Sequence, residues 1–308
     1  MPTAAVEALA KVNLGLYVLY RRPDQYHELR TVFQTISLAD RLQIEYRRGG
    51  GPHAELTCTA PELAGPDNLA LRAALQLLEA TGDRGRVRIH LDKRIPVGAG
   101  LGGGSSDAAA VLLALARLVR RRPEPATLLR LAASLGSDVP FFLIGGRAAA
   151  IGRGTELFPL PNVPRTWLVV AAPAIPVSTA EAYRRLAPHL TSRPVEDRIY
   201  FGSRGCVFEP RQVHAFDSLE NDFEAVVFRM HPELETLKAR LAALGARPAL
   251  LCGSGSAVFG VFRDRRQAVR ARECLDVPGG RCYVAGTVSG AAYRARWQRW
   301  WKRAGVAH

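Results

Sequence analysis

Residues 96–107 read Pro96-Val97-Gly98-Ala99-Gly100-Leu101-Gly102-Gly103-Gly104-Ser105-Ser106-Asp107. Five glycines fall within seven positions, directly before an apolar run rich in Ala, Leu and Val. Without a Cβ, each can take a positive φ and bring its backbone close to a ligand. Successive N–H groups then converge on one concavity, and a following helix adds the positive end of its dipole, an arrangement that suits an anion. The hydroxyls of Ser105 and Ser106 can add contacts to a phosphate or a metal ion. The loop lacks the Gly-Lys-Ser/Thr ending of a P-loop and the spacing and downstream acid of a dinucleotide fingerprint. The competing structural use of such glycines is a hinge or a close helix–sheet contact.

Other residues carry weaker signals when read alone. Lys11 is an isolated cation in an apolar strand, so its side chain must reach water, a partner or a ligand. Asp138 follows a helix-ending Gly136, a position where Asp is more often a turn former. Tyr26 and His27 are adjacent aromatics beside a turn and read as core packing. The net charge of +14 favours anionic partners, but the arginines are scattered in twos and threes, the pattern of solvated faces. Five cysteines at irregular spacing, with no Cys-x-x-Cys pair, support neither a disulfide framework nor a zinc site. With no signal-like N-terminus and no long apolar stretch, a cytoplasmic protein without stable membrane association is expected.

These residues need elements to hold them. Alternation of apolar residues predicts strands over 10–20, 42–46 and 87–91. A helix is predicted from Asp67, as its cap, to Ala80, with a stripe of Leu71, Ala74, Leu75 and Leu78 and a stop at Gly82. A nearly uninterrupted apolar run predicts a buried helix over 105–120, capped by Ser105 or Ser106. A further helix over 124–135 should stop at Gly136. Prolines 159, 161, 164, 173 and 176 mark a crossing into a second domain, which gives domains at 1–160 and 161–308. The second holds an irregular insertion near 191–216 and two helices broken near His231-Pro232. A strand to Cys252, a tight turn at 253–256, a strand over 258–262, a helix near 265–274 and a last strand near 282–288 follow. The class is α+β. A basic, Trp-rich tail over 294–303 predicts a helix that packs its tryptophans on the second domain.

Three segments, in order, resemble the motifs of the GHMP kinases: Ala10-Lys11-Val12-Asn13-Leu14, the loop 96–106, and Cys252-Gly253-Ser254-Gly255-Ser256-Ala257-Val258-Phe259. Further segments resemble one branch of that superfamily, which phosphorylates a cytidine diphosphate-linked methylerythritol in non-mevalonate isoprenoid synthesis. They are Arg21 to Leu29, Thr31 to Gln34, Asp67-Asn68-Leu69, Asp92 to Pro96, Gly136 to Phe142 and Asn221 to Glu224. One departure is Gln25, where that branch has Gly; a positive φ there would strain the turn.

The resemblance implies a ribosomal protein S5 domain 2-like N-terminal domain, a ferredoxin-like C-terminal domain, ATP and Mg2+ as cofactors, and a monomer or homodimer. It makes Asp138 the catalytic base with Lys11 beside it, and the loop 96–106 the phosphate site, braced by the third motif. Asn68 and Lys93 fall near the adenine. Tyr26 and Tyr183 would sandwich the cytosine while His27 bonds its edge, and Asn13 and Thr179 would contact the polyol or diphosphate. Two alternatives stay open: another small alcohol as acceptor, of the mevalonate or homoserine type, or a basic RNA-binding protein. Nucleic acid is not the expected partner.

Overall fold

The computed structural model describes residues 3–190 and 219–303. Two long strands, β1 (Thr3–Arg21) and β2 (His27–Arg47), form an antiparallel hairpin that is the spine of the molecule. The outer part of β1 alternates, with Ala4, Val6 and Ala8 inward; from Leu9 to Leu16 both faces are buried. One face meets helices and the other meets a second sheet, so the simple period is lost there. β3 (His53–Cys58), β4 (Arg86–Asp92), β5 (Arg147–Ile151) and β6 (Glu156–Pro159) complete a six-stranded sheet in the order β3-β4-β2-β5-β6, with β1 on β2. β3 and β4 are parallel and joined by a crossover through α1 (Leu69–Thr81).

α1 differs in detail from its prediction. Asn68, not Asp67, is the cap: its Oδ1 accepts from the Ala70 N–H at 2.9 Å, and Gly82 closes the helix at φ 62°. Ala70, Ala73, Ala74, Leu77 and Leu78 form the buried stripe, while Leu75 is exposed. α2 (Gly103–Leu118) starts two residues before Ser105, so neither serine caps it; Gly102, at φ 70°, holds that position. Eleven of its residues are buried, as its apolar run requires. α3 (Pro125–Leu135) and α4 (Val139–Ile144) follow on either side of Gly136.

After β6 the chain enters a four-stranded antiparallel sheet of order β10-β7-β9-β8, made of β7 (Trp167–Ala172), β8 (Ala249–Leu251), β9 (Val258–Phe262) and β10 (Arg281–Gly286). Helices α5 (Thr179–Leu190), α6 (Glu224–Met230), α7 (Pro232–Ala243) and α8 (Arg265–Cys274) accompany it. The predicted insertion at 191–216 lies outside the described residues. A separate apolar cluster joins the two sheets, uniting Ala10, Val12 and Leu14 of β1 with Leu168, Val170, Leu250 and Phe259, and with Ile95, Ala99 and Leu101 of the glycine loop. The loop is thus rooted in the seam between the sheets.

The last helix, α9 (Gly290–Arg303), returns to the first sheet. Tyr293, Trp297 and Trp300 lie in the core of β1, β2, α1, α2 and α4, and the Tyr293 hydroxyl donates to the Phe142 carbonyl at 2.5 Å. The expected packing of these tryptophans on the second unit is therefore corrected. Gly145, whose Cβ would lie 2.3 Å from the Tyr293 ring, leaves the room for it. No helix among the described residues is long and apolar enough to cross a membrane.

Candidate active site

The glycine loop leaves β4 and enters α2 through three left-handed residues, Gly98, Gly100 and Gly102, at φ 68°, 77° and 70°. Only glycine takes such angles at little cost, which is why the alternate positions are glycine. Gly100 is also placed by close approach: a Cβ there would sit 1.9 Å from the Cys252 carbonyl oxygen. The third glycine-rich segment lies under the loop as a brace. The Ala257 N–H donates to the Ala99 carbonyl at 3.2 Å, and the Cys252 thiol donates to the Gly100 carbonyl at 3.4 Å. Burial pushes that thiol up to about 11, so it stays protonated as a donor. The Lys11 N–H donates to the Leu101 carbonyl at 3.0 Å and joins β1 to the same loop.

Lys11 and Asn13, two apart on β1, share one face. The Lys11 ammonium is 3.4 Å from Asp138 Oδ2 and donates to Asn13 Oδ1 at 2.7 Å, with the Phe33 ring 5.3 Å away. The Asn13 amide donates to Thr31 Oγ1 at 2.8 Å, and Thr31 donates in turn to the Gly15 carbonyl. Asn13 is 1% exposed, so its place is behind Lys11, orienting it. Asp138 precedes α4 but makes no capping bond, and its side chain is 31% exposed. The turn-former use of this aspartate does not occupy its carboxylate, which pairs with Lys11 and is partly open to solvent. An ammonium and a carboxylate at the rim of an anion cradle can neutralise phosphate charge and receive a proton.

Ser105 and Ser106 divide. The Ser106 hydroxyl donates to the Leu9 carbonyl at 2.7 Å and is 1% exposed, which removes it from any ligand. Ser105 is half-buried, and its Oγ lies 3.9 Å from where a Gly136 Cβ would stand, on the side of Asp138. A cavity of about 350 Å3 runs along the loop, lined by Asn68, Lys93, Pro96, exposed Val97 and the residues through Ser105. Asn68 lines it while its amide is engaged in the α1 cap and with the Leu63 carbonyl. Lys93 is not a free cation there. Its ammonium is clasped between Asp40 and Asp107, at 3.0 Å from Asp107 Oδ2. A larger cleft, about 620 Å3, lies between α9 and the outer ends of β1 and β2. Its arginines and tryptophans bring neither a glycine cradle nor a carboxylate beside a lysine, so volume does not mark the site.

The aromatic residues assemble differently from the expected sandwich. His27, not an open face, lies on Tyr183, with ring centroids 4.6 Å apart and planes 16° apart. Phe223 meets Tyr183 edge-on at 4.8 Å. Tyr26 is 51% exposed and carries the Arg153 guanidinium over its ring at 4.4 Å. The tight turn over 22–26 explains the separation: it turns Tyr26 outward while His27 enters β2 pointing in. At its tip Gln25 has φ 69°, and it is the one non-glycine residue with positive φ among those described. The His27 Nε2 is buried without a hydrogen-bond partner, and burial, aided by Arg21, lowers the ring's pKa, leaving a neutral imidazole. Burial first and then Asp138 raise the Tyr183 hydroxyl to about 12. Thr179 opens α5 and shares a hydrogen bond of 2.7 Å with Ser254, so it ties α5 to the brace.

Asp40 and Arg153 carry no signal in the sequence; Thr31, Phe33 and Cys252 lie within segments that resemble the family and Asp107 adjoins the loop, but none of these four stands out as a site residue by its own pattern. Asn221 and Asp222 are structural: the Asn221 amide donates to the Leu251 and Gly253 carbonyls, and Asp222 accepts from the Val18 N–H.

Known proteins match this architecture. Residues 68–146 match the family model described as GHMP kinases N terminal domain, and residues 211–277 match GHMP kinases C terminal. The chain is 48% identical to a 4-diphosphocytidyl-2-C-methyl-D-erythritol kinase of Solibacter usitatus, over 96% of this chain and 92% of that one. It is 46% identical to the enzyme of the same name from Thermus thermophilus, over 92% and 96%. A crystal structure of 4-(cytidine 5'-diphospho)-2C-methyl-D-erythritol kinase superposes with a TM-score of 0.75 at 43% identity, covering 92% of this chain and 98% of that one. A homoserine kinase from Cytophaga hutchinsonii, 16% identical, shares the fold alone, with a TM-score of 0.68 over 94% and 95%. The identity, sustained over nearly the whole length and joined to the cradle, the brace and the Lys11–Asp138 pair, means that this chain belongs to the 4-diphosphocytidyl-2-C-methyl-D-erythritol kinase family of GHMP kinases.

Proposed function

We propose that this chain transfers the γ-phosphate of ATP to the 2-hydroxyl of 4-diphosphocytidyl-2-C-methyl-D-erythritol, with the loop 96–105 as the triphosphate site. The observation that carries the mechanism is the Lys11–Asp138 pair, 3.4 Å apart at the edge of the cradle. Phosphoryl transfer asks mainly for positioning and for neutralisation of charge. The Asp138 carboxylate receives the proton of the attacking hydroxyl as the new O–P bond forms and the bond to the ADP oxygen breaks. Lys11 aims the Asp138 carboxylate through their ion pair, and Asn13 keeps Lys11 in place.

Mg2+ takes oxygen ligands and is held in such sites by one or two protein oxygens plus phosphates. Among the described residues no group of three or more His, Cys, Asp or Glu side chains gathers to hold a metal alone. The half-buried Ser105 hydroxyl fits the small donor set that remains, and Ser106, bonded to Leu9, does not. Bound there with the phosphates, the ion supplies charge neutralisation. On the acceptor side, His27 reads the edge of the cytosine with its unpaired Nε2, Tyr183 stacks behind the imidazole to fix its plane, and Tyr26 covers the base from the turn. Thr179 holds the brace next to the acceptor.

Turnover with ATP, Mg2+ and the cytidine-bearing alcohol, set against the same alcohol phosphate without cytidine, tests this function. Preference for the cytidine compound and loss of turnover in Asp138→Asn with ATP binding kept are expected. Equal rates on both acceptors would remove the cytosine assignment. A wild-type rate in Asp138→Asn would remove the base.

A further inference from the structure

We propose that the buried Asp40–Lys93–Asp107 cluster is a positioning device that ties the two ends of the phosphate loop together, so that affinity for the triphosphate depends on it and affinity for adenosine does not. This rests on the loop being the triphosphate site. Asp40 grips the residues that lead into the loop: its Oδ1 accepts from the Arg94 and Ile95 N–H groups at 2.6 and 2.8 Å, and its Oδ2 accepts from Lys93. Asp107 lies in the first turns of α2, where the loop ends, and accepts from Lys93 at 3.0 Å across a span of 14 residues. Start and end of the loop are thereby joined through one ammonium, whose side chain is 8% exposed. Gly103 lets that ammonium press against the loop, because a Cβ there would lie 2.8 Å from Lys93 Nζ.

The charges support a fixing role better than a stabilising one. Buried ionic clusters are often no more stable than apolar groups of the same volume, since desolvation offsets attraction. Here the balance is poorer still: two carboxyls share one ammonium, and Asp107 Oδ1 finds no donor among the described residues, so burial and the neighbouring Asp40 raise the Asp107 pKa. Burial works against the Lys93 charge, yet the adjacent Asp107 and Asp40 outweigh it and raise its pKa. What the cluster does supply is a fixed distance between the strand end and the helix start.

Asp107→Leu, Asp107→Asn and wild type would be compared by calorimetric titration with adenosine, AMP, ADP and ATP, beside thermal melts and kinetics. Asp107→Leu removes the unpartnered oxygen and leaves Lys93 paired one-to-one with Asp40, so its Tm should match or exceed wild type. Its affinity for ATP and ADP should fall by about tenfold, the effect of loosening a positioned group. Adenosine affinity and the KM for the alcohol should stay within about twofold of wild type. Asp107→Asn, which can still accept from Lys93, should restore ATP affinity to within about threefold. Equal losses for adenosine and ATP would mean that Asp107 touches the base, and unchanged ATP affinity in a folded Asp107→Leu would mean a merely structural cluster. Either overturns the inference and leaves the loop assignment standing; a wild-type chain with no ATP affinity would end both.

Discussion

Replacing Gly100 by alanine should damage this protein in two measurable ways. The added Cβ would stand 1.9 Å from the Cys252 carbonyl oxygen and 3.2 Å from that of Gly255. A carbon approaches a carbonyl oxygen no closer than about 3.3 Å, so the loop and its brace must separate by roughly 1.4 Å. Both partners are backbone, rooted in the buried seam through Ala99, Leu101 and Cys252, so neither yields cheaply. Overpacking of about 1–3 kcal/mol adds to about 1–2 kcal/mol for a side chain in the left-handed region, or about 2–5 kcal/mol together. Gly98, at φ 68°, is the internal control, since its Cβ would meet nothing within 4 Å. Gly98→Ala should lose only the backbone part, about 1–2 kcal/mol. Denaturant unfolding of the three proteins measures the difference. Steady-state kinetics of the folded fraction should show Gly100→Ala down by about 10²-fold in kcat/KM for ATP, the scale of a 1 Å misplacement. If Gly100→Ala and Gly98→Ala lose stability and activity alike, the brace does not position the loop.

Gln25→Gly should stabilise the 22–26 turn by up to about 1 kcal/mol, because relief of the left-handed strain at φ 69° exceeds the added chain entropy; a lower unfolding midpoint would show that the Arg21–Gln25 hydrogen bond outweighs the strain. The Asp107 carboxyl, pushed up to about 8 by burial first and by Asp40 against the pull of Lys93, predicts a pH slope. Folding takes up a proton there between about pH 4 and pH 8, so the wild-type chain loses stability as pH rises through that window and levels off above it. Unfolding curves of Asp107→Asn should lack that slope, and an unchanged slope would assign it elsewhere. Trp300→Ala should cost about 3–5 kcal/mol by emptying the first core, and chemical unfolding reads it; a loss below about 1 kcal/mol would deny α9 its anchoring role.

Much of the fold can be read from local pattern. The glycines of the loop, the stop at Gly136, the break at His231-Pro232 and the helix over 265–274 each rest on residues adjacent in sequence, where φ freedom, capping and proline sterics act. Lys11 was legible for a similar reason: a cation in an apolar strand stands out, and its meeting with Asp138 followed from the family resemblance. The failures are long-range. Lys93 beside a glycine loop looks like a ligand contact, because its partner Asp40 is 53 residues away and no periodicity links them. The stripe of α9 shows that tryptophans are buried but not against which sheet. His27 on Tyr183 depends on how the 22–26 turn divides two neighbouring aromatics. Its one sequence clue was Gln25 in place of the family's glycine.

The return of α9 to the first sheet makes the order of synthesis matter. A ribosome releases the strands and helices of the first sheet long before 290–303, so the surfaces of β1 and α4 that receive α9 wait uncovered while the rest of the chain is made. The N-terminal half cannot complete its own interior, and a fragment cut at the proline-marked crossing would carry an open greasy flank. The two halves are thus less like beads on a string than like a book whose back cover is glued to its first chapter: opening it anywhere loosens the binding of both.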